Sequence, residues 1–233
     1  MFDWAVATKQ AAGNPARSIK PEHAFTKRKV QHFASLPLTQ MGDLMRGLRG
    51  LEPTVGPLAC RFLALTWTRT KEVRGMRWSE VNGDLWTIPK ERMKRDKTHV
   101  VPLSTQAREV LNIMRVFSRS DLVFAPDSAG EKLLSEGGIL AVLYRLGYRG
   151  KMTGHGFRSM ASTWANERQY PADAIERQLS HSPEDETRAT YNHAEYLPIR
   201  SAMLQDWADW IDVQAGECLP APELADATRQ DAE

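Results

Sequence analysis

Residues 153–168 read TGHGFRSMASTWANER. A histidine and an arginine, three positions apart, open a segment whose apolar residues Phe157, Met160, Ala161 and Trp164 recur at helical spacing. Thr153 is placed to cap that helix, with Gly154 beside it. His155 and Arg158 then lie one turn apart on one face of its N-terminal end. Unbonded backbone N–H groups and the helix dipole favour an anion there, and an arginine fork suits a phosphate. The same pair also reads as a plain surface histidine and arginine, so the rest of the chain has to decide.

The chain has 233 residues, 42% of them hydrophobic, with seven tryptophans. That is enough for one large core, or for one domain and a fragment of a second, and it excludes disorder throughout. Cys60 and Cys218 stand far apart with no pairing pattern, which fits a reducing compartment and opposes a cysteine-rich metal site. The N-terminal MFDWAVATKQAAGN has no long apolar core behind a basic flank and does not read as a signal peptide. No apolar run approaches the roughly 20 residues of a membrane span. The cytoplasm is the expected location, with no membrane partner. The net charge of +2 is unevenly spread: residues 212–233 hold six acids and one base, a balance of −5 that leaves +7 on the remainder. A basic body with an acidic tail is compatible with a polyanionic partner.

Residues 1–12 read as a short helix closed by Gly13-Asn14-Pro15, like the last helix of something larger, and 14–37 as a charged loop punctuated by prolines. Helices are expected over 38–49, with Thr39 as cap and Gly50 as stop, and over the strongly apolar 54–69. A shorter helical piece runs through Val73 and Met76. Trp78 to Pro89 alternates about a turn at Asn82-Gly83-Asp84, and a second strand starts at His99. A helix over 104–117 and a short strand DLVFA come next. Further helices are expected near 136–147, 155–168, 171–180, 185–194 and 197–213. In the last, Met203, Trp207, Trp210 and Ile211 form an apolar stripe, suited to the core or to a partner protomer. The tail from Gly216 is rich in proline, alanine and acids and is expected to be disordered. The sum is an α+β fold, mainly α-helical, with a small antiparallel β-sheet.

Three further stretches set cations and a tyrosine in ordered contexts. In ALTWTRTKEVRGMRW, residues 64–78, Arg69 and Glu72 form a local ion pair or a frame that aims the arginine into a cleft. In IPKERMKRDKTHVVPLS, residues 88–104, five bases lie between two strands. They read as a solvated hairpin tip, or as an arm along a nucleic-acid backbone whose lysine protonates a leaving oxygen. In ERQLSHSPEDETRATY, residues 176–191, His181 follows a helix with Ile175 and Leu179 on its apolar side, and Tyr191 lies ten residues on. Two arginines, two histidines, a lysine and a tyrosine suit phosphoryl transfer without a metal. Fixed cations neutralise the non-bridging oxygens, and a tyrosine serves as covalent nucleophile. A metal-dependent nuclease needs clustered carboxylates, and the histidines show no His-x-x-x-His spacing.

Taken in order, these motifs resemble the catalytic domain of tyrosine recombinases, in particular the integrases of satellite phages and genomic islands, over residues 38–213. TWTRTKEVRGMRW is similar to that family's first arginine box, which implies Arg69 as a catalytic arginine with Glu72 as its support. WTIPKERMK and HVVPLS resemble the hairpin of the catalytic lysine, which eight residues before Pro102 is Lys94. HGFR implies His155 and Arg158, LSH implies His181, and RATYNHAEYL implies Tyr191 as nucleophile. Lys71, Arg92, Arg95 and Lys97 are the further expected contacts to DNA phosphates.

The resemblance implies a site-specific recombinase that cleaves and rejoins DNA through a 3′-phosphotyrosyl link, with no metal or other cofactor, to integrate or excise a mobile element. It implies double-stranded DNA attachment sites as partner, a homotetramer on DNA that is a monomer when free, and a directionality factor. A C-terminal segment at or beyond residue 197 is expected to dock on the neighbouring protomer. Residues 1–37 are expected to be the end of a DNA-clamping core-binding domain plus a linker, 38–213 the catalytic domain, and 214–233 a disordered acidic tail. Tyr196 would point about 140° from Tyr191 on a shared helix, so only one of them could face the site. Two other readings stay open: an inactive DNA-binding remnant of an integrase, and a relative in the type IB topoisomerase group.

If Lys94 is the acid, Lys94→Ala slows cleavage mainly when the leaving group is an ordinary oxygen. A duplex with a 5′-bridging sulfur at the scissile phosphate needs no proton and restores the rate in single-turnover cleavage. Absence of that rescue counts against Lys94.

Overall fold

A computed structural model of the chain describes residues 1–19, 33–93, 96–126, 132–181 and 195–216. The chain divides into two compact units, Met1–His32 and Phe33–Glu233. In the first, helix α1 (Phe2–Ala7) buries none of its side chains, and a 3-10 turn follows at Pro15–Ser18. The helix is shorter than the span 1–12, because the chain turns left-handed at Lys9, φ 57°. Asp3 accepts from the Asn14 amide and pairs with Arg17.

The second unit is built around one apolar helix. In α2 (Met41–Arg49), Met41, Leu44, Met45 and Leu48 are buried at i, i+3, i+4 and i+7, so one stripe faces inward. A 3-10 turn at Leu38–Gln40 precedes it, with Thr39 inside that turn and Pro37 at its cap position. Helix α3 (Val55–Thr66) is buried on nearly every side, from Pro57 and Leu58 to Leu65 and Thr66. A helix apolar all round belongs in the centre, and α3 packs against α2, α4 (Thr70–Arg74), α5 (Thr105–Phe117) and α6 (Gly138–Arg145). It also packs against α7 (Gly156–Glu167) and α9 (Leu197–Ala215); α8 (Ala172–Gln178) lies between those two in sequence and packs on both.

The expected helix over 54–69 breaks at Thr66. Trp67 takes a left-handed conformation, φ 60°, and Arg69 becomes the residue before α4 rather than the end of the apolar helix. The expected strand DLVFA is only a single bridge, Leu122 to Arg77. The expected helix 185–194 lies outside the described residues, as does the expected tail 214–233 from 217 on; its first two residues, 214 and 215, instead end helix α9, with Gly216 as the left-handed cap.

The sheet has three antiparallel strands in the order β1 (Val81–Asn82), β2 (Leu85–Ile88), β3 (His99–Pro102). Val81 faces Trp86, Trp86 faces Val101, and Ile88 faces His99. Gly83, φ 59°, opens the two-residue turn between β1 and β2, where a left-handed residue matches the strand twist. Trp86 and Ile88 point inward while Thr87 points out, the strand period of two.

Helix α9 closes the core. Arg200, Met203, Leu204, Trp207, Ala208 and Ile211 form its buried face, so the stripe read from the sequence serves the core of its own chain. Trp207 packs edge-on against Trp67 at 6.0 Å and Trp164 at 5.2 Å between ring centroids, and its indole donates to the Ala64 carbonyl at 2.9 Å. Such edge-to-face pairs add about 1 kcal/mol each to area burial. Residues 33–36, read from the sequence as linker, lie on the start of α7: Ser35 donates to the Gly156 carbonyl and Thr153 to that of Ala34.

Helix α2 approaches α9 closely at Gly42, where an added Cβ would collide with the Gln214 carbonyl. Gly42→Ala therefore destabilises the fold by roughly 2 kcal/mol. Thermal unfolding should show this as a Tm lower by roughly 4–8 °C; an unchanged Tm would show that α9 yields there at no cost.

Candidate active site

The break between α3 and α4 positions the first arginine. Glu72 caps α4 by accepting from the Arg69 backbone N–H at 2.7 Å, and its other oxygen accepts from Arg69 NH1 at 2.8 Å. The Glu72 side chain is 4% exposed, so one buried carboxylate both starts the helix and holds the guanidinium. Arg69 NH2 then donates to the Ser180 carbonyl at 3.2 Å.

Arg158 is buried on the first turn of α7. It donates through NH1 to the Trp67 carbonyl and through NH2 to the Leu179 carbonyl at 2.5 Å. These carbonyls close α3 and α8, the negative ends of helix dipoles. The two guanidiniums thus meet at neighbouring carbonyls, Leu179 and Ser180. Burial, and then the charge of Arg69, bring the Arg158 pKa down to about 10, which still leaves a cation at neutral pH. Its Nε is buried and has no hydrogen-bond partner among the described residues.

The helix itself starts one residue later than expected, at Gly156, and His155 is its cap residue. Thr153 still does part of the expected task, since its hydroxyl accepts from the Gly156 N–H at 3.2 Å. The His155 ring sits 4.7 Å from that of Phe33. Its pKa is lowered by burial and by the charges of Arg158 and Arg69, so it is neutral near pH 7. Gly154 permits this approach: a Cβ there would stand 2.5 Å from the Thr70 hydroxyl.

His181 follows a second left-handed residue, Ser180, φ 51°. Its Nε2 is 3.1 Å from Arg158 NH2 and its Nδ1 is 2.9 Å from Glu176. A guanidinium only donates, so the network assigns the proton to Nδ1 and leaves Nε2 as acceptor. Burial lowers the His181 pKa, with Glu176 opposing and Arg158 adding to the effect.

The structure therefore brings together Arg69, Glu72, His155, Arg158 and His181. Lys71 and Lys97 are exposed. Arg92, expected at a DNA phosphate, is held inward instead: it pairs with Glu80 at 2.5 Å and donates to the Glu72 carbonyl at 3.2 Å. Its guanidinium braces the helix that frames Arg69, because its two terminal nitrogens bond the α4 backbone and the Glu80 carboxylate at once. Lys94, Arg95 and Tyr191 lie outside the described residues. Tyr196 is the residue before α9, φ 50°, and its hydroxyl donates to Asp173 at 3.2 Å.

Four residues of this neighbourhood escaped the sequence reading: Glu176, Gln178, His99 and Arg200. Each carried a signal. Gln178 follows Ala174 and Ile175 on the buried face of α8. Arg200 precedes Met203 and Leu204 on the inward stripe. His99 shares the inward face of β3 with Val101, whereas Glu176 was visible only as the carboxylate five residues before His181.

A family model described as the phage integrase family matches residues 39–197, about two thirds of the chain. The chain belongs to the phage integrase family. Its curated relatives include the integrase of Shigella phage Sf6, 38% identical over 217 residues, which cover 91% of this chain and 56% of that protein. The integrase of Enterobacteria phage P4 is 35% identical over 230 residues, 90% of this chain and 52% of that protein. The chain thus spans about half the length of these curated relatives. Among solved structures, a lambda integrase dimer bound to a COC' core site is similar with a TM-score of 0.58 and 17% identity, covering 83% of this chain and 69% of that one. The integrase of the Tn1549 transposon, in complex with transposon right end DNA, gives 0.62 and 12%, covering 86% and 74%. At these identities the likeness is one of fold, a tyrosine recombinase catalytic-domain fold.

His99 provides a pH test of the cluster's electrostatics. It is 4% exposed, and burial and the charges of Arg200, Arg158 and Arg69 lower its pKa to about 3. Below pH 6.5 the unfolded chain takes up a proton that the folded chain refuses, so stability falls as pH drops from about 6.5 toward 3. His99→Asn does not titrate. The stability gap between wild type and variant should narrow by roughly 2 kcal/mol from pH 7 to pH 5. Urea unfolding at both pH values measures it; a constant gap would mean that the imidazole titrates in the fold as it does in the unfolded chain.

Proposed function

We propose that this chain is the catalytic segment of a site-specific DNA recombinase that integrates or excises a mobile element. The observation that carries the reading is the convergence of Arg69 and Arg158 on adjacent carbonyls, with His155 and His181 beside them. Two fixed cations in a partly dry site suit the charge that develops on a phosphate's non-bridging oxygens.

In this mechanism Arg69 and Arg158 grip the non-bridging oxygens of a DNA phosphodiester. The Tyr191 oxygen attacks phosphorus, and its proton passes to the neutral His155 imidazole. The bond from phosphorus to the 5′-oxygen breaks, its electron pair leaves with that oxygen, and Lys94 supplies the proton. A 3′-phosphotyrosyl link results. A 5′-hydroxyl of the partner strand then attacks the link and releases Tyr191, so no external energy is required. His181, held by Glu176, orients Arg158. Lys71 and Lys97 meet flanking phosphates.

Residues 38–213 are proposed as the catalytic domain and 1–37 as the end of a DNA-clamping domain with its linker. The partner is double-stranded DNA carrying attachment sites, met by four protomers and biased by a directionality factor, in the bacterial cytoplasm. The integrases of phages and bacteria that resemble this chain, and the DNA bound in the similar structures, support the reading.

Nicked duplexes tiled across the DNA that flanks the coding gene test it. A nick beside the scissile phosphate lets the released strand diffuse away and traps the covalent complex. The wild-type chain should give a detergent-resistant adduct whose linked peptide maps to Tyr191, and Tyr191→Phe should lose it with an unchanged Tm. Equal capture by Tyr191→Phe, or loss only in Tyr196→Phe, would sink the assignment.

A further inference from the structure

A third guanidinium, Arg200, lies wholly buried at the first turn of α9. Its Nε donates to the Gln178 side-chain oxygen at 2.9 Å and its NH1 to the Glu195 carbonyl at 3.0 Å, while its NH2 donates to the Val100 carbonyl. The nearest carboxylate oxygen among the described residues, Oε2 of Glu195, is 3.7 Å away, and the other oxygen of that carboxylate accepts from Arg177 at 2.7 Å. Gln178 passes the link on, since its amide donates to the Thr66 carbonyl at 2.9 Å.

The places of these contacts along the chain are telling. Thr66 stands three residues before Arg69, and Gln178 three before His181. Val100 lies on β3, whose first residue follows Lys94 by five, and Glu195 follows Tyr191 by four. Arg200 joins three of these segments directly and the fourth, at Thr66, through Gln178. It does so with a buried charge bound mostly to neutral carbonyls. An apolar side chain of similar volume would fill that space at a smaller desolvation cost. Directional bonds to three separate elements are what a guanidinium offers and an apolar group does not.

We propose that Arg200, acting through Gln178 and the Val100 and Glu195 carbonyls, is a positioning residue for strand transfer. It sets the register between the cluster and the two segments that carry Lys94 and Tyr191. The inference rests on the recombinase reading above. Arg200 touches no reacting atom in it; the residue fixes where the reacting groups meet.

The test uses the full chain and any duplex captured in the tiled-duplex experiment. Arg200→Lys keeps the charge but cannot reach three acceptors. Gln178→Met keeps the guanidinium and cuts the bridge to Thr66. Each variant is read by its Tm, by Kd for the duplex, and by the capture rate at saturating DNA per folded molecule. A positioning role predicts Kd within about threefold of wild type and a capture rate lower by about tenfold or more, because a misplacement of about 1 Å suffices for such losses. Capture within about twofold of wild type in both folded variants overturns the proposal, as does a loss confined to Kd. If Arg200→Lys is unfolded at the assay temperature, Gln178→Met decides alone. If the wild type captures no duplex, or Tyr191→Phe captures as well as the wild type, the recombinase reading itself falls. That result is distinct from wild-type capture that these variants leave unchanged.

Discussion

The Arg158 guanidinium, clamped between the Trp67 and Leu179 carbonyls, is the interaction on which the site depends. A buried cation is costly unless its hydrogens are met. Here the last carbonyls of two helices meet them, where the backbone dipoles point their negative ends. Those carbonyls are available because both helices stop abruptly, at Trp67 and at Ser180, each with a left-handed φ. The same stops turn the chain so that Arg69 follows one and His181 the other. Arg69 then closes on the Ser180 carbonyl and His181 on Arg158. The clamp and the bends require one another.

A left-handed tryptophan is strained, by about 1–3 kcal/mol. The strain at Trp67 is offset where its indole goes: it is fully buried, edge-on to Trp164 and Trp207. Trp164 lies on α7, which carries Arg158, and Trp207 on α9, which carries Arg200. The aromatic cluster therefore sets the spacing of the helices that bring the arginines. Rigid elements hold functional groups more precisely than loops do.

Electrostatically the cluster is a fixed positive patch with neutral imidazoles in it. Each arginine lowers the pKa of His155, and burial does so more. The lowered pKa keeps the imidazole in its proton-accepting form at neutral pH, and an anion held between the arginines offsets the charges that oppose its protonation. The cations themselves stay charged, Arg158 at a pKa of about 10. Charge and proton acceptance thus belong to different residues at neutral pH.

Much of this was legible in the sequence because its causes are local. The apolar period gave α2, α5 and α9, the alternation about Gly83 gave β1 and β2, and Glu72 three residues after Arg69 announced the pair that the structure holds at 2.8 Å. The order of the motifs sufficed to indicate the family. Where the helix over 54–69 breaks was not legible, because the break is stabilised by Arg158 from 91 residues away and by tryptophans from two other helices. Nor did the charges around Arg92 show that it turns inward to Glu80, since solvent and a buried carboxylate compete equally in a sequence. Arg200 looked like one more helical arginine until the fold carried Val100, Gln178 and Glu195 to it. The sequence by itself determined most of the helices, the strand pair about Gly83 and the chemistry that these elements carry, because these follow from neighbours in the chain. Only the tertiary structure decided which cations gather at one site and which turn inward as braces, because hydrogen bonds between distant segments exist only once packing has brought them together.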